Sequence, residues 1–263
     1  MIVDFPDLQE VDFYAFKNCV NIKEVRNLGS VWEISEQLFR GCISLCRINF
    51  GEIITTIRQE AFQGCHSLKT INLPETVSTV ETHAFKNCDE LAVVESMGSI
   101  GSFTEAIFEN CKSLLRVHFP NHIDNYKVKA FVNCPKLRVL SNIYNYDGLD
   151  ECFENCPNID TVWLGKDMTE IETDKLNTNK FIKIIRFNEK LEYIQDEALS
   201  DLPNLHTIDV STYRMRRSYM NALENINHDI SIWNAFLMDS SINTSNLATT
   251  IKTLHTYDIS IGA

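Results

Sequence analysis

The fold is decided by one stretch of the chain, Ile57-Arg-Gln-Glu-Ala-Phe-Gln-Gly-Cys-His-Ser-Leu-Lys-Thr-Ile-Asn-Leu-Pro74. After Cys65, its apolar residues follow at spacings of three, three and two, at Leu68, Ile71 and Leu73. The closing alternation of apolar and polar residues is typical of a short β-strand. The stretch is one copy of a unit that recurs along the chain.

Cysteines mark the period of this unit. Of the nine cysteines, seven form a regular series: Cys19, Cys42, Cys65, Cys88, Cys111, Cys134 and Cys156. The first five gaps are 23 residues and the last is 22. Counting on by 23 leads to Asn179 and Leu202, where the surrounding pattern continues without the thiol. A fixed period of this length predicts a repeat protein, in which each unit buries its apolar residues only against its neighbours.

Two further positions repeat with the cysteine. Three residues before it stands an aromatic or aliphatic residue: Phe16, Phe39, Phe62, Phe85, Phe108, Phe131, Phe153, Leu176 and Leu199. Directly before it the residues are Asn18, Gly41, Gly64, Asn87, Asn110, Asn133, Asn155, Thr178 and Asp201. Asn, Gly and Asp tolerate a left-handed backbone conformation. We therefore expect each unit to contain a short helical or 3₁₀ turn carrying Ala-Phe, a reversal at Asn or Gly, and a strand that stacks in parallel on its neighbours.

The repeat register divides the chain into two predicted regions. Residues 1–211 hold about nine units and start in mid-repeat, since Val3-Asp-Phe5-Pro6 matches the strand Ile71-Asn-Leu73-Pro74. Residues 212–263 are interpreted as degenerate repeats that form a C-terminal cap, with Ile232 in a strand position. The first strand is predicted to be an uncovered edge, so either a partner covers it through end-to-end contact or the sequence is a piece of a longer array.

The box Ala-Phe-x-x-Cys-x-x-Leu-x-x-Ile-x-Leu-Pro, at a period of 23, closely resembles the BspA-like leucine-rich repeats of the Treponema/Bacteroides type, over residues 3–211. The resemblance implies an α/β repeat solenoid: a right-handed horseshoe with a parallel concave β-sheet and short helical or 3₁₀ turns on its convex side. It also implies binding rather than catalysis, since members are often surface proteins that contact host proteins or other cells. The family carries no conserved catalytic residues, so no catalytic role transfers to this chain.

The cysteine series allows buried thiols, disulfides or a metal site. Neighbouring parallel strands lie about 4.7–4.9 Å apart, so thiols of successive units would be close. Seven thiols cannot all pair, and a free cysteine behaves as a small buried apolar residue, which favours buried thiols. Cys152 and Cys156 have a spacing that suits a metal, but Cys152 takes the position of Ala61 and Ala84, and no further ligand pair follows. We expect neither a metal nor another cofactor.

Charge and composition exclude several function classes. The formal net charge is −12, which argues against nucleic-acid binding because phosphates require a basic surface. No run of 18 apolar residues occurs, so membrane insertion is not expected. The start, Met1-Ile-Val-Asp-Phe-Pro6, lacks the features of a signal peptide, and free thiols suit a reducing compartment. These features favour the cytoplasm, while the family resemblance implies the cell surface as the alternative.

The surface that the sequence singles out is the inner face of the predicted sheet. The column that follows the buried Ile position reads Arg26, Asn49, Asn72, Glu95, His118, Ser141, Trp163, Arg186 and Asp209. Trp163 interrupts this polar column, and Trp233 falls at the same position in the degenerate tenth unit. The candidate partner-binding residues are aromatic or cationic, as in protein-binding hot spots: Arg116, His118, Trp163, Arg186, Tyr144, Tyr146 and Trp233. The alternative is that Trp163 packs against its neighbours and binds nothing.

The sequence favours one of three function classes. The repeat predicts a module that binds another protein through the inner sheet face, as a surface adhesion protein or an intracellular scaffold. A carbohydrate or host-matrix binder of the lectin kind is the alternative, since such proteins present aromatic rings to sugars. An enzyme is disfavoured, because the histidines fall at unrelated positions of the repeat and no catalytic motif is present.

Overall fold

The structure is a computed structural model that describes residues 1–121, 123, 129–143, 152–172, 181–195, 198–199 and 202–210, together with the backbone of strands at 214–215, 231–233, 236–237 and 253–255. The chain divides into two compact units. Unit 1 comprises Met1–Arg138 with Gly148–Asn158, and unit 2 comprises Val139–Asp147 with Ile159–Ala263. Each repeat forms one coil of a solenoid, and the strands of successive coils pair in parallel.

Unit 1 contains strands at two positions of each coil. The strands at the predicted position, which we call the main sheet, are β1 (Ile2–Val3), β2 (Glu24–Val25), β4 (Arg47–Ile48), β6 (Thr70–Leu73), β8 (Val93–Met97) and β9 (Arg116–His118). Among them, β1, β2 and β4 are neighbours in one sheet, and β6, β8 and β9 are neighbours in another. A second sheet, absent from the sequence prediction, consists of β3 (Glu33–Ile34), β5 (Thr56–Ile57) and β7 (Thr79–Val80).

Unit 2 repeats this arrangement. Its main-sheet strands are, in spatial order, β10 (Val139–Ile143), β11 (Thr161–Leu164), β13 (Ile184–Arg186), β15 (Thr207–Asp209), β17 (Ser231–Trp233) and β19 (Thr253–His255). The second-sheet pairs are β12 (Glu170–Ile171) with β14 (Tyr193–Ile194), and β16 (Arg214–Met215) with β18 (Phe236–Leu237). Ile232 pairs with Ile208 in the main sheet, in the strand position expected from the repeat. Most of residues 212–263 lie outside the described residues, so the C-terminal cap stays a prediction.

The core of unit 1 is a column of stacked aromatic rings. Phe62 and Phe85 lie one coil apart, with ring centroids separated by 5.3 Å and planes within 4°. The same stacking continues at centroid distances of 5.1–5.5 Å through Phe16, Phe39, Phe108, Phe131 and Phe153. The rings follow the strand spacing because each sits at the same position of a coil. The predicted register of the repeat is therefore confirmed across unit 1.

The cysteine series runs beside this column, and its burial is confirmed from Cys42 onward, while Cys19 is only partly buried. Each buried thiol donates a hydrogen bond to the phenylalanine carbonyl oxygen of the preceding coil, at 3.1–3.4 Å between sulfur and oxygen. Burial raises the pKa of the Cys65 and Cys88 thiols well above its ordinary value, because a thiolate would be desolvated there. The series is a structural feature that joins successive coils.

The turn that carries Ala-Phe differs in one detail from the predicted solenoid. Among the described residues none lies in an α-helix, and the expected helical turns are irregular turns. The five turns from Tyr14–Asn18 to Ala106–Asn110 have two left-handed residues each. One is the predicted Asn or Gly, where φ is 55–75° from Asn18 to Asn155. The other, four residues earlier, was not predicted: Tyr14, Gln37, Glu60, His83 and Ala106.

Hydrogen bonding explains why these turns are not helical. In the second coil, alternate N–H groups donate to the carbonyl oxygens of the next coil at 2.8–3.1 Å: Gln37, Phe39 and Gly41 donate to Gln59, Ala61 and Gln63. The residues between them donate three residues back within their own turn at 3.1 Å: Leu38, Arg40 and Cys42 donate to Ser35, Gln37 and Phe39. Because half of the N–H groups are used between coils, they are not available for the i to i−4 bonds of a helix.

Candidate functional site

The open face of the main sheet in unit 2 is positioned by the residues that follow the buried position in β11, β13 and β15. Val162, Ile185 and Ile208 are fully buried, and the residues that follow them, Trp163, Arg186 and Asp209, turn away from the core and are partly exposed. Backbone pairing places Trp163 opposite Arg186, and Arg186 opposite Asp209. Three coils thus present an aromatic, a cationic and an anionic side chain in one row.

Contacts between these side chains define the candidate site, which we call the Trp163 row. The guanidinium carbon of Arg186 lies 4.8 Å from the centroid of the Trp163 ring. The Nε of Arg186 lies 3.6 Å from Oδ2 of Asp209, and both side chains are partly exposed. A cation over an indole at such a site contributes about 0.5–1 kcal/mol, and an exposed ion pair contributes about as much or less. These modest interactions orient Arg186 over the ring and leave the row accessible from solvent.

Asp209 is a residue of this site that the sequence analysis did not single out. It stands in the same column as Trp163 and Arg186, one repeat further on. The sequence column therefore contained the signal for this residue, namely an acidic side chain one repeat after the candidate Arg186. Its carboxylate sets the direction of the guanidinium, so we include it in the row.

The remaining predicted residues of unit 2 carry less structural information. The backbone register continues from Asp209 to Trp233 in β17, while the Trp233 side chain lies outside the described part of the chain. Tyr144 and Tyr146 also lie outside the described residues. Their place in the candidate site stays a prediction.

Arg116 and His118 belong to unit 1, where they flank the buried Val117 in β9. The Nη2 of Arg116 lies 2.9 Å from Oε2 of Glu95, and both residues point toward solvent in part. His118 is half-buried on the same strand. The seven predicted residues therefore divide between the two units: Arg116 and His118 belong to unit 1, and the other five, Trp163, Arg186, Tyr144, Tyr146 and Trp233, belong to unit 2.

Two residues of the predicted polar column, Ser141 and Glu95, do not have the predicted strand register. In β10 the ladder is irregular between Leu140 and Ile143, where one residue is added relative to β11. As a result Ser141 is buried rather than exposed, and Asn142 is buried with φ at 65°, its Oδ1 accepting a hydrogen bond from the Lys166 N–H at 3.2 Å.

The second irregularity lies in β8. There Ser96, and not Glu95, stands opposite Asn72. An extra residue of this kind shifts every following side chain by one position, which periodic counting cannot anticipate.

The described residues show no arrangement typical of a metal site or of a membrane-spanning helix. They contain no group of three or more His, Cys, Asp or Glu side chains arranged to hold a metal ion. Along the same parts of the chain, no helix combines the length and apolar character needed to cross a membrane.

Comparison with known proteins shows which family these coils represent. The family model described as "BspA type Leucine rich repeat region (6 copies)" matches residues 9–138 and 140–228. The crystal structure of a leucine-rich repeat protein from T. pallidum is 27% identical, over 54% of this chain and 69% of that chain, with a TM-score of 0.50. No curated protein sequence matches the chain significantly.

Two further bacterial structures match the chain at lower identity. A leucine-rich repeat protein from Bacteroides ovatus is 15% identical over 89% of this chain and 87% of that chain, with a TM-score of 0.39. A leucine-rich cell surface protein from Faecalibacterium prausnitzii is 18% identical over 96% and 82%, with a TM-score of 0.30. Since the family model spans most of the sequence, the chain belongs to the BspA-type leucine-rich repeat family.

Proposed function

We propose that this chain is a protein-binding repeat module, and that the open face of the main sheet in unit 2 contacts the partner through the Trp163 row. The observation that carries the proposal is the placement of Arg186 over the Trp163 ring on that face. Tryptophan and arginine are the residue types that most often dominate protein interfaces. Membership in a leucine-rich repeat family supports the same class of function.

The geometry of the row favours a protein over a sugar. A sugar-binding tryptophan presents a free ring face on which the sugar stacks, whereas one face of Trp163 is covered by the guanidinium of Arg186. A protein partner can instead use the row as it stands, placing apolar atoms on the exposed part of the ring and a carboxylate or carbonyl against the guanidinium. The carbohydrate alternative is tested by a glycan array, on which Trp163-dependent binding would contradict this proposal.

The proposal is tested by capturing the partner and measuring its affinity. The partner is identified by mass spectrometry, and its binding to purified chain is then measured by calorimetry. Trp163→Ala should weaken binding by at least about 2 kcal/mol, or about 30-fold. The thermal transition should stay near that of the wild type, because Trp163 is outside the core.

Tyr193→Ala is the matched control for this measurement. Tyr193 is an aromatic residue of the same unit, 45% exposed, and it lies in β14 of the second sheet rather than in the main sheet. Its substitution should leave affinity within about twofold, a change that corresponds to less than about 0.5 kcal/mol. An unchanged affinity in Trp163→Ala, or an equal loss in Tyr193→Ala, would refute the use of this face.

Two further features belong to the proposal. The edge strand β1, where Ile2 is half-exposed, is proposed as a contact for a second molecule. Sedimentation of the wild type and of Ile2→Lys tests this contact.

The buried thiols favour location in the cytoplasm, and the family implies location at the cell surface. Surface biotinylation of intact cells distinguishes these alternatives.

A further inference from the structure

A cleft with aromatic walls opens in unit 1, away from the main sheet. It lies between the segment Gln9–Phe13 and strand β3 and encloses about 280 Å³. Its walls include Glu10, Val11, Asp12, Phe13, Trp32 and Glu33, and we call it the Trp32 cleft. The volume suits one long side chain rather than a helix or a folded loop.

The cleft exists because the segment between Leu8 and Val11 separates from the next coil, which contains Ser30–Ser35. The coils are joined on one side, where the Ser30 N–H donates to the carbonyl oxygen of Leu8 at 2.7 Å, and on the other, where the Ser35 hydroxyl donates to that of Val11 at 2.9 Å. Between these two points no strand forms on the first coil. The opening is therefore a closed-ended slot beside β3.

Strand β3 turns polar backbone groups into this slot. The carbonyl oxygens of Trp32 and Ile34 accept hydrogen bonds from Thr55 and Arg58, in the next coil. Because alternate residues of a strand direct their N–H and C=O groups to opposite edges, those of Glu33 face Gln9–Phe13. The slot thus combines aromatic walls with a backbone acceptor.

The aromatic walls depart from the repeat. One and two coils further on, the position of Trp32 is held by Thr55 and Ser78, and that of Phe13 by Glu36 and Gln59. Trp32 is 56% exposed and Phe13 is 58% exposed, so neither ring contributes much to the core. The Trp32 indole contacts no other aromatic ring and no cation among the described residues. Large exposed rings at positions that are otherwise polar point to a surface that contacts something else.

Charge at the mouth of the cleft specifies what it contacts. Glu10 and Asp12 are exposed and form no ion pair within the described part of the chain. Glu33 differs, because Arg58 bridges it to Glu81 at 2.8 Å on each side. Two uncompensated carboxylates beside an exposed indole favour a cation, which is attracted by the acids and by the face of the ring.

We propose that the Trp32 cleft receives an arginine side chain from an extended segment of a partner protein. A guanidinium is planar, so it stacks on the indole while its N–H groups reach the carboxylates of Glu10 and Asp12 and the carbonyl oxygen of Glu33. Its aliphatic stem covers Val11. This contact is separate from the Trp163 row and does not depend on it.

The test uses N-acetyl-arginine amide as the probe and N-acetyl-citrulline amide, its neutral isostere, as the control ligand. The chain has three tryptophans, so each indole N–H resonance can be followed by NMR, and Trp32→Thr assigns that of Trp32. The arginine compound should shift the Trp32 resonance saturably, and the citrulline compound should bind at least about fivefold more weakly. Threonine occupies this position in the next coil, so Trp32→Thr should keep the wild-type melting transition.

Variants separate the cleft from general acidity. Glu10→Gln with Asp12→Asn should weaken the arginine compound by about threefold or more, since each carboxylate contributes the modest energy of an exposed ion pair. Glu52→Gln, an exposed acidic residue of the same unit outside the cleft, and Trp163→Ala should leave its binding unchanged. Absence of a shift at Trp32, equal binding of both compounds, or an equal loss in Glu52→Gln would overturn the proposal.

Discussion

Replacing Phe85 by leucine tests whether the stacked phenylalanine column stabilises unit 1. The ring is fully buried and stacks on Phe62 and on Phe108, with centroids 5.3 Å away in both cases. Leucine keeps most of the apolar volume and removes both ring pairs, each of which contributes about 0.5–1.5 kcal/mol beyond burial. We therefore expect Phe85→Leu to lower the free energy of unfolding by about 1–3 kcal/mol. Phe85→Ala adds a cavity and should cost about 3–5 kcal/mol.

The assay is equilibrium urea unfolding followed by circular dichroism, combined with a double-mutant cycle. Phe62→Leu and Phe85→Leu should show a coupling of about 0.5–1.5 kcal/mol, because their rings are in contact. Phe62→Leu and Phe108→Leu are the control pair, separated by Phe85, and should be additive within about 0.5 kcal/mol. A coupling as small as that of the control pair would refute the reasoning, since the column would then stabilise by burial alone.

Three further predictions concern the polar side of the same coils. Burial raises the pKa of Cys42 to about 11. The free energy of unfolding should therefore fall as pH rises from about 8.5, where the unfolded thiol ionises, toward 11, by up to about 1.4 kcal/mol per pH unit. Urea midpoints that coincide at pH 7.5 and 9.5 would contradict this. Asn110 combines φ of 61° with hydrogen bonds to Asn87 and Asn133. Asn110→Ala should therefore lower the free energy of unfolding by about 2–4 kcal/mol, and Asn110→Gly should lower it by less, because glycine adopts this φ without strain. Equal losses in the two variants would exclude backbone strain. A water-soluble thiol reagent should label the exposed Cys46 at once and the buried thiols only on unfolding, and rapid labelling of most thiols would contradict the fold.

Much of the candidate site follows from counting residues. The period of 23 places Trp163, Arg186 and Asp209 in one column, and the backbone pairing has the same register. Counting fails where a strand gains a residue, as at Ser141 in β10 and Glu95 in β8. It also gives no direction for a side chain, so the stacking of Arg186 on Trp163 follows only from the packed coils.

The amino-acid sequence by itself determines which apolar repeat positions are buried and where the backbone reverses at Asn or Gly. Both are properties of one residue type at one position: apolar side chains at the spacing of Leu68, Ile71 and Leu73, and Asn or Gly where φ is positive. Only the stacked structure decides how the turn is hydrogen-bonded, because the carbonyl partners of Phe39 and Gly41 lie in another coil. The same holds for the thiol of Cys65 and the ring of Phe85, whose partners are supplied by the coils on either side. Repeats that fold only against each other leave these contacts to the tertiary structure.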